Sequence, residues 1–120
     1  MTDNRTGSGG LSHTARVVDG ATVVTLHGEI DLLVASLLAA RLDALTDGPC
    51  PDLVLDLRMV EFIDCAGLGV LCRTRNRVHD RAGRLRLVTD SPAFRRLLRA
   101  TGLTDVFEVH PRMPALLGGD

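Results

Sequence analysis

Aromatic side chains are almost missing: the 120 residues hold no tryptophan, no tyrosine and only Phe62, Phe94 and Phe107. Platforms on which nucleic-acid bases stack are thereby excluded. Lysine is absent as well, so the cations are arginines, and the formal net charge of −1 with a pI near 6.4 gives no global attraction to nucleic acid or to an anionic membrane. Any charged binding has to be local. No run of about 20 apolar residues occurs, which excludes a membrane-spanning helix, and the opening MTDNRTGSGG lacks the basic start and apolar stretch of a signal peptide. A cytoplasmic protein is expected. Cys50, Cys65 and Cys72 are odd in number and match neither a disulfide framework nor a zinc site. His13, His27, His79 and His110 are scattered, with no pair at a spacing that converges on a metal. No metal and no other cofactor is expected.

What is present is apolar content of 45 %, enough for one shared core in a chain of this length. The segment 1–12 is rich in Gly, Ser, Thr and Asp and reads as a flexible tail. Two β-branched runs from Arg16 to Leu26 are joined by Asp19-Gly20, the pair that tolerates a tight hairpin turn. After Gly28-Glu29-Ile30 the period lengthens to that of a helix, capped by Asp31, with Val34, Leu37, Leu38, Leu42 and Leu45 on one face. Gly48-Pro49-Cys50-Pro51 stops it. Leu53–Leu57 reads as a strand covered on both faces. A second helix is expected from about Asp64 to Ala82 with Leu68, Leu71 and Val78 inward, then a strand at Leu85–Val88. Ser91-Pro92 starts a third helix that ends at Gly102, and Val106–Val109 supplies a last strand. The expected class is α/β: a mostly parallel sheet of about four to five strands with an antiparallel N-terminal edge strand, covered by about three to four helices. The domain should span 13–110, and 111–120 reads as a C-terminal tail with a short helical turn around Ala115-Leu116-Leu117.

One stretch, Asp56-Leu57-Arg58-Met59-Val60-Glu61-Phe62-Ile63-Asp64-Cys65-Ala66-Gly67-Leu68-Gly69-Val70-Leu71, resembles the signature of STAS domains. It has a strand ending in Asp-Leu, a spacer, a Phe-Ile-Asp step, and Gly-Leu-Gly in the opening of a helix. Gly28-Glu29-Ile30-Asp31, Leu98 to Gly102-Leu103, and Val106-Phe107 agree with the same family, so the resemblance runs from about Thr14 to Val109. It implies an anti-sigma factor antagonist: a non-enzymatic binding module, monomeric or weakly dimeric, that binds an anti-sigma factor of the ATP-binding serine kinase type and so releases a sigma factor. It further implies that the kinase phosphorylates a hydroxyl residue directly after the signature aspartate, and that the loop of Glu29 and Asp31 lies beside the signature helix start. The partner-binding residues expected on this basis are Glu29, Asp31, Asp64, Cys65, Ala66, Gly67, Leu68 and Gly69. A STAS scaffold or adaptor subunit of a larger signalling assembly is the alternative.

A helix N-terminus offers unpaired amides and a positive dipole end, which suits both recognition and a phosphate switch. Gly67 and Gly69 each cost about 1 kcal/mol relative to alanine in a helix. Either close packing on the sheet or bare backbone for a partner accounts for them. Here the sequence departs from the family pattern: Cys65 occupies the serine or threonine position and Ala66 follows, so neither accepts phosphate from a serine/threonine kinase. A thiol at a helix start can also be stabilised as a thiolate, against which stands the ordinary fate of cysteine as a small buried hydrophobe.

The remaining motifs carry less. Gly67-Leu68-Gly69 imitates a dinucleotide fingerprint, but it lies inside a predicted helix and the third glycine position is Cys72. Glu29, Asp31, Asp56 and Asp64 have no histidine, serine or metal partner in a catalytic order, and helix capping explains two of them. Arg73, Arg75, Arg77, Arg81, Arg84 and Arg86 form a basic run that reads either as a solvated face or as a contact for an acidic protein surface.

Overall fold

Asp19 and Gly20 both take positive φ, 50° and 85°, the backbone of a two-residue hairpin turn. In the computed structural model, which describes residues 2–6 and 10–115, three strands come first: β1 (Thr2–Thr6), β2 (Leu11–Val18) and β3 (Ala21–Ile30). The chain then alternates through α1 (Leu32–Leu45), β4 (Asp52–Ile63), α2 (Cys65–Asp80), β5 (Arg84–Val88), α3 (Pro92–Ala100) and β6 (Glu108–His110). The strands lie in one sheet in sequence order, antiparallel from β1 to β3 and parallel from β3 to β6.

That monotonic order decides where the helices go. Parallel crossovers are right-handed, so successive crossovers that all step in one direction place their helices on the same face. The buried residues of α1 (Val34, Leu38, Leu42), α2 (Leu68, Leu71, Val78) and α3 (Phe94, Leu98) accordingly join one core with Leu53, Leu55 and Leu57 of β4. The reverse face holds a smaller cluster, Ala21, Val23, Val54 and Val88, closed by Met113 from the C-terminal segment. Coverage of both faces of β4 is therefore met on one side by helices and on the other by a single turn of chain.

Several expectations need correction. The N-terminal segment is not wholly a tail: Thr2–Thr6 pairs with β2 from Thr2↔Ala15 to Thr6↔Leu11, and Leu11 is a buried core residue. The sheet thus has one edge strand more than the sequence patterns disclosed. β4 runs to Ile63, because Met59, Val60, Phe62 and Ile63 keep the ladder with β3 across two register shifts that leave Arg58 and Glu61 out of it. The last strand begins at Glu108, with Val106 and Phe107 in the turn before it. The helical turn expected at Leu116 and Leu117 lies outside the described residues.

β6 is held to β5 by more than its short ladder. Arg84 Nε donates to Glu108 Oε1 at 2.9 Å, and His110 Nε2 lies 2.8 Å from Glu108 Oε2. The hydrogen bond from Arg84 is the main reason that the Glu108 carboxyl is lowered from 4.5 to about 2. A carboxylate depressed in the folded state stabilises above its unfolded pKa, and that stabilisation is lost as pH falls through the folded value. Glu108→Gln is therefore expected to flatten the fall in urea midpoint between pH 5 and pH 2.5. An unchanged fall would show that the bridge does not contribute; because Arg84 is exposed and Glu108 partly so, the effect should be small.

Candidate functional site

Ile30 and Ile63 are parallel partners at the ends of β3 and β4, and each is followed by an aspartate. Two helices therefore start side by side. Asp31 caps α1, its Oδ1 accepting from Leu33 N at 3.1 Å. Asp64 caps α2, its Oδ1 accepting from Gly67 N at 2.9 Å, while its Oδ2 accepts from Leu32 N at 3.1 Å. The Asp64 backbone amide donates to Ile30 O at 3.2 Å. One carboxylate thus satisfies orphan amides of both helices and fixes their tips relative to each other, a capping role worth about 0.5–2 kcal/mol per helix.

The two glycines separate here. A Cβ on Gly67 would stand 2.4 Å from Ile30 O and 2.8 Å from side-chain atoms of Ile30 and Ile63, so this glycine exists to let α2 lie against the strand ends. A Cβ on Gly69 meets nothing within 4 Å, and the residue is exposed. Packing explains the first and leaves the second as bare backbone on the surface.

Of the residues singled out from sequence, Glu29, Cys65 and Gly69 are exposed, Asp31, Asp64 and Ala66 are partly so, and Gly67 and Leu68 are buried. Leu68 faces the core and supports the tip from beneath, so the expectation that Gly67 and Leu68 offer surface is corrected. Large apolar side chains are also exposed at this end: Leu32 (74 %), Leu33 (76 %) and Leu37 (50 %) on α1, and Met59 (51 %) and Phe62 (51 %) on β4, where they pair with His27 and Glu29 of β3. The helical spacing assigns Leu37 to the core stripe, but Val34, Leu38 and Leu42 fill it and Leu37 faces solvent. The spacing of Leu33 and Leu37, four apart on a helix apolar nearly all round, was the available signal that α1 has a second apolar face.

Charge is segregated along the molecule. The stretches 27–37 and 59–72 contain Glu29, Asp31, Glu61 and Asp64 and no arginine, and 88–94 contains Asp90, with Arg95 and Arg96 following on α3. The arginine run sits farther along and is largely neutralised: Arg73 lies 2.7 Å from Asp43 Oδ2, Arg77 Nε 3.2 Å from Asp43 Oδ1, and Arg86 2.9 Å from Asp52 Oδ1. It ties α2 to α1 and β5 to β4, which is the structural reading of that run. Among the described residues no group of three or more His, Cys, Asp or Glu is placed to hold a metal, and no helix is long and apolar enough to cross a membrane.

The family model of the STAS domain matches residues 12–115. The chain belongs to the STAS domain family. This STAS chain is 32 % identical over 113 residues to the anti-sigma-F factor antagonist RsfA of Mycobacterium tuberculosis, covering 92 % of this chain and 88 % of that one. It is 35 % identical over 86 residues to the anti-sigma-B factor antagonist of Bacillus subtilis, covering 72 % and 78 %. Among solved structures it superposes on an anti-sigma factor antagonist from Mycobacterium paratuberculosis with a TM-score of 0.80 at 31 % identity, covering 94 % of this chain and 96 % of that one. The relatives are named for a regulatory binding role and not for an enzymatic one.

The glycine geometry gives opposite signs for two similar substitutions. Gly67→Ala should destabilise the STAS fold by about 1–3 kcal/mol, because the backbone carbonyl it meets cannot move freely. Gly69→Ala should stabilise it by roughly 0.5–1 kcal/mol through helix propensity alone. Urea unfolding of the two variants reads this directly, and equal shifts would contradict the assignment.

Proposed function

We propose that this STAS domain is an anti-sigma factor antagonist whose docking face is the paired helix tips: Glu29 and Asp31 on one side, Asp64, Cys65, Ala66 and Gly69 on the other. The observation that carries this is the row of large apolar side chains left in water on α1 beside those tips, Leu32, Leu33 and Leu37, with Met59 and Phe62 exposed on the adjoining end of β4. Apolar patches of this kind mark binding surfaces, and complete burial of a leucine from an exposed state gains about 1.5–3 kcal/mol. A partner surface of about 800 Å² needs more than the signature tip, and these side chains supply the extension. The carboxylates at this end favour a partner with a basic surface and steer its approach. The names of the relatives support an anti-sigma factor as that partner.

In this reading the partner is an anti-sigma factor of the ATP-binding serine kinase type, met in the cytoplasm, and the antagonist acts as a monomer or weak homodimer. The first residue of α2, where the family carries its phosphorylatable hydroxyl, is the exposed Cys65. A kinase built for an alcohol oxygen has no acceptor there, so the chain binds without the phosphate off-switch and is set by its amount and by competition for the partner.

Two measurements test this with an anti-sigma factor kinase from the same genome. Leu33→Glu or Gly69→Arg should weaken binding at least tenfold while the thermal unfolding curve stays close to that of the parent, since both sites face solvent; unaltered binding would overturn the placement. With kinase and ATP, the parent chain should keep its intact mass, whereas Cys65→Ser should gain one phosphate and then lose affinity. Stoichiometric phosphorylation of the parent would contradict the absence of a switch.

A further inference from the structure

β4 continues beyond the point where its neighbour stops. Its ladder with β5 ends at Asp56↔Val88, whereas its ladder with β3 continues to Ile63. On the β5 side, residues 57–63 therefore pair with no strand among the described residues. The Arg58 amide is already held by Asp56 Oδ1 at 3.1 Å, so the open edge is Met59 to Ile63. Unpaired edges of this length are aggregation-prone and are normally covered, charged or bent away.

Facing this edge is α3, and between them lies an apolar cleft of about 280 Å³. Leu57, Val60 and Ile63 form one wall; Ala93, Phe94 and Leu97 form the other. A free strand edge beside a helix, with an apolar trough between, is the arrangement that accepts an added extended peptide. The peptide main chain pairs with the edge, and its alternate side chains enter the trough.

The character of the occupant follows from the rim. Glu61 lines the cleft, Asp90 adjoins its Thr89 and Ser91 wall, and Glu29 is the β3 partner of Phe62. Arg95 and Arg96, exposed on α3 among the wall residues Ala93, Phe94 and Leu97, put positive charge on the opposite side, so the rim carries both signs. Both hydroxyls on this wall serve the local backbone: Thr89 Oγ1 accepts from Ser91 N at 3.2 Å and Ser91 Oγ from Phe94 N at 3.2 Å. The volume lies just below the span of about 300–1,000 Å³ usual for small-molecule sites. Apolar side chains on an extended segment fit better than a free lipid or cofactor.

We propose that the edge of β4 from Met59 to Ile63 takes an extended segment of the anti-sigma factor, bearing apolar residues at alternate positions, which adds as a strand with those side chains in the cleft against α3. This rests on the docking face proposed above, with which the cleft shares Phe62 and is continuous through Ile30 and Ile63.

The test uses the full chain and an anti-sigma factor kinase from the same genome, with Ala93→Arg, an exposed cleft-wall residue whose substitution leaves the core intact, beside Gly69→Arg. Ala93→Arg should weaken binding at least tenfold, and hydrogen exchange of the 59–63 amides should slow at least tenfold in the parent complex. Both results are required. If Gly69→Arg weakens binding while Ala93→Arg does not, or the 59–63 amides exchange as in the free chain, the strand addition is overturned and the docking face stands. If neither variant weakens binding, both readings fall. Palmitate titrated into the free chain is the remaining arm: saturable binding abolished by Ala93→Arg, with the 59–63 amides unprotected in the protein complex, would assign the cleft to a lipid and overturn the proposal.

Discussion

The Asp64 carboxylate is the interaction on which the rest of the site depends. It reaches the first turn of its own helix through Gly67 N and the first turn of the neighbouring helix through Leu32 N. Two helices capped separately could shift against each other by the slack of the sheet beneath them. Sharing one cap converts them into a single rigid face, and the absence of a side chain on Gly67 lets that face sit directly on Ile30. Preorganisation of this kind reduces the ordering cost that a partner would otherwise meet on binding.

The position of this face follows from topology. Strands in sequence order with parallel crossovers bring every helix to one side, and strand ends that are in register bring the starts of α1 and α2 to the same level. Charge then separates along the chain: carboxylates collect where strands end and helices begin, in keeping with the helix dipole, while the arginines of α2 and β5 are paired with Asp43, Asp52 and Glu108. The arginines of α3, Arg95, Arg96 and Arg99, stand exposed outside those pairs.

Much of this was legible in the sequence because the signals are local. Asp19-Gly20 specified the hairpin, Asp31, Asp64 and Ser91 specified three helix starts by capping, and each is realised. What was hidden depends on partners distant in sequence. Thr2–Thr6 has no apolar alternation and is recognisable as a strand only through its ladder to β2. Arg58–Glu61 lacks a strand's alternation because register shifts interrupt it, and only its pairing of Met59 and Val60 with β3 reveals the strand. Gly67 and Gly69 are equivalent on paper; only the carbonyl of Ile30 tells them apart. The second apolar face of α1 was misjudged because a leucine stripe reads the same whether it meets the core or another protein.

The most direct test is a methyl NMR footprint of the complex. With Leu, Ile, Val and Met methyls labelled and an anti-sigma factor kinase added, the resonances of Leu32, Leu33, Leu37 and Met59 should shift or broaden while that of Val17, equally exposed at the far end of the hairpin, stays in place. A stable complex that perturbs Val17 and leaves the tip methyls unchanged would contradict the account.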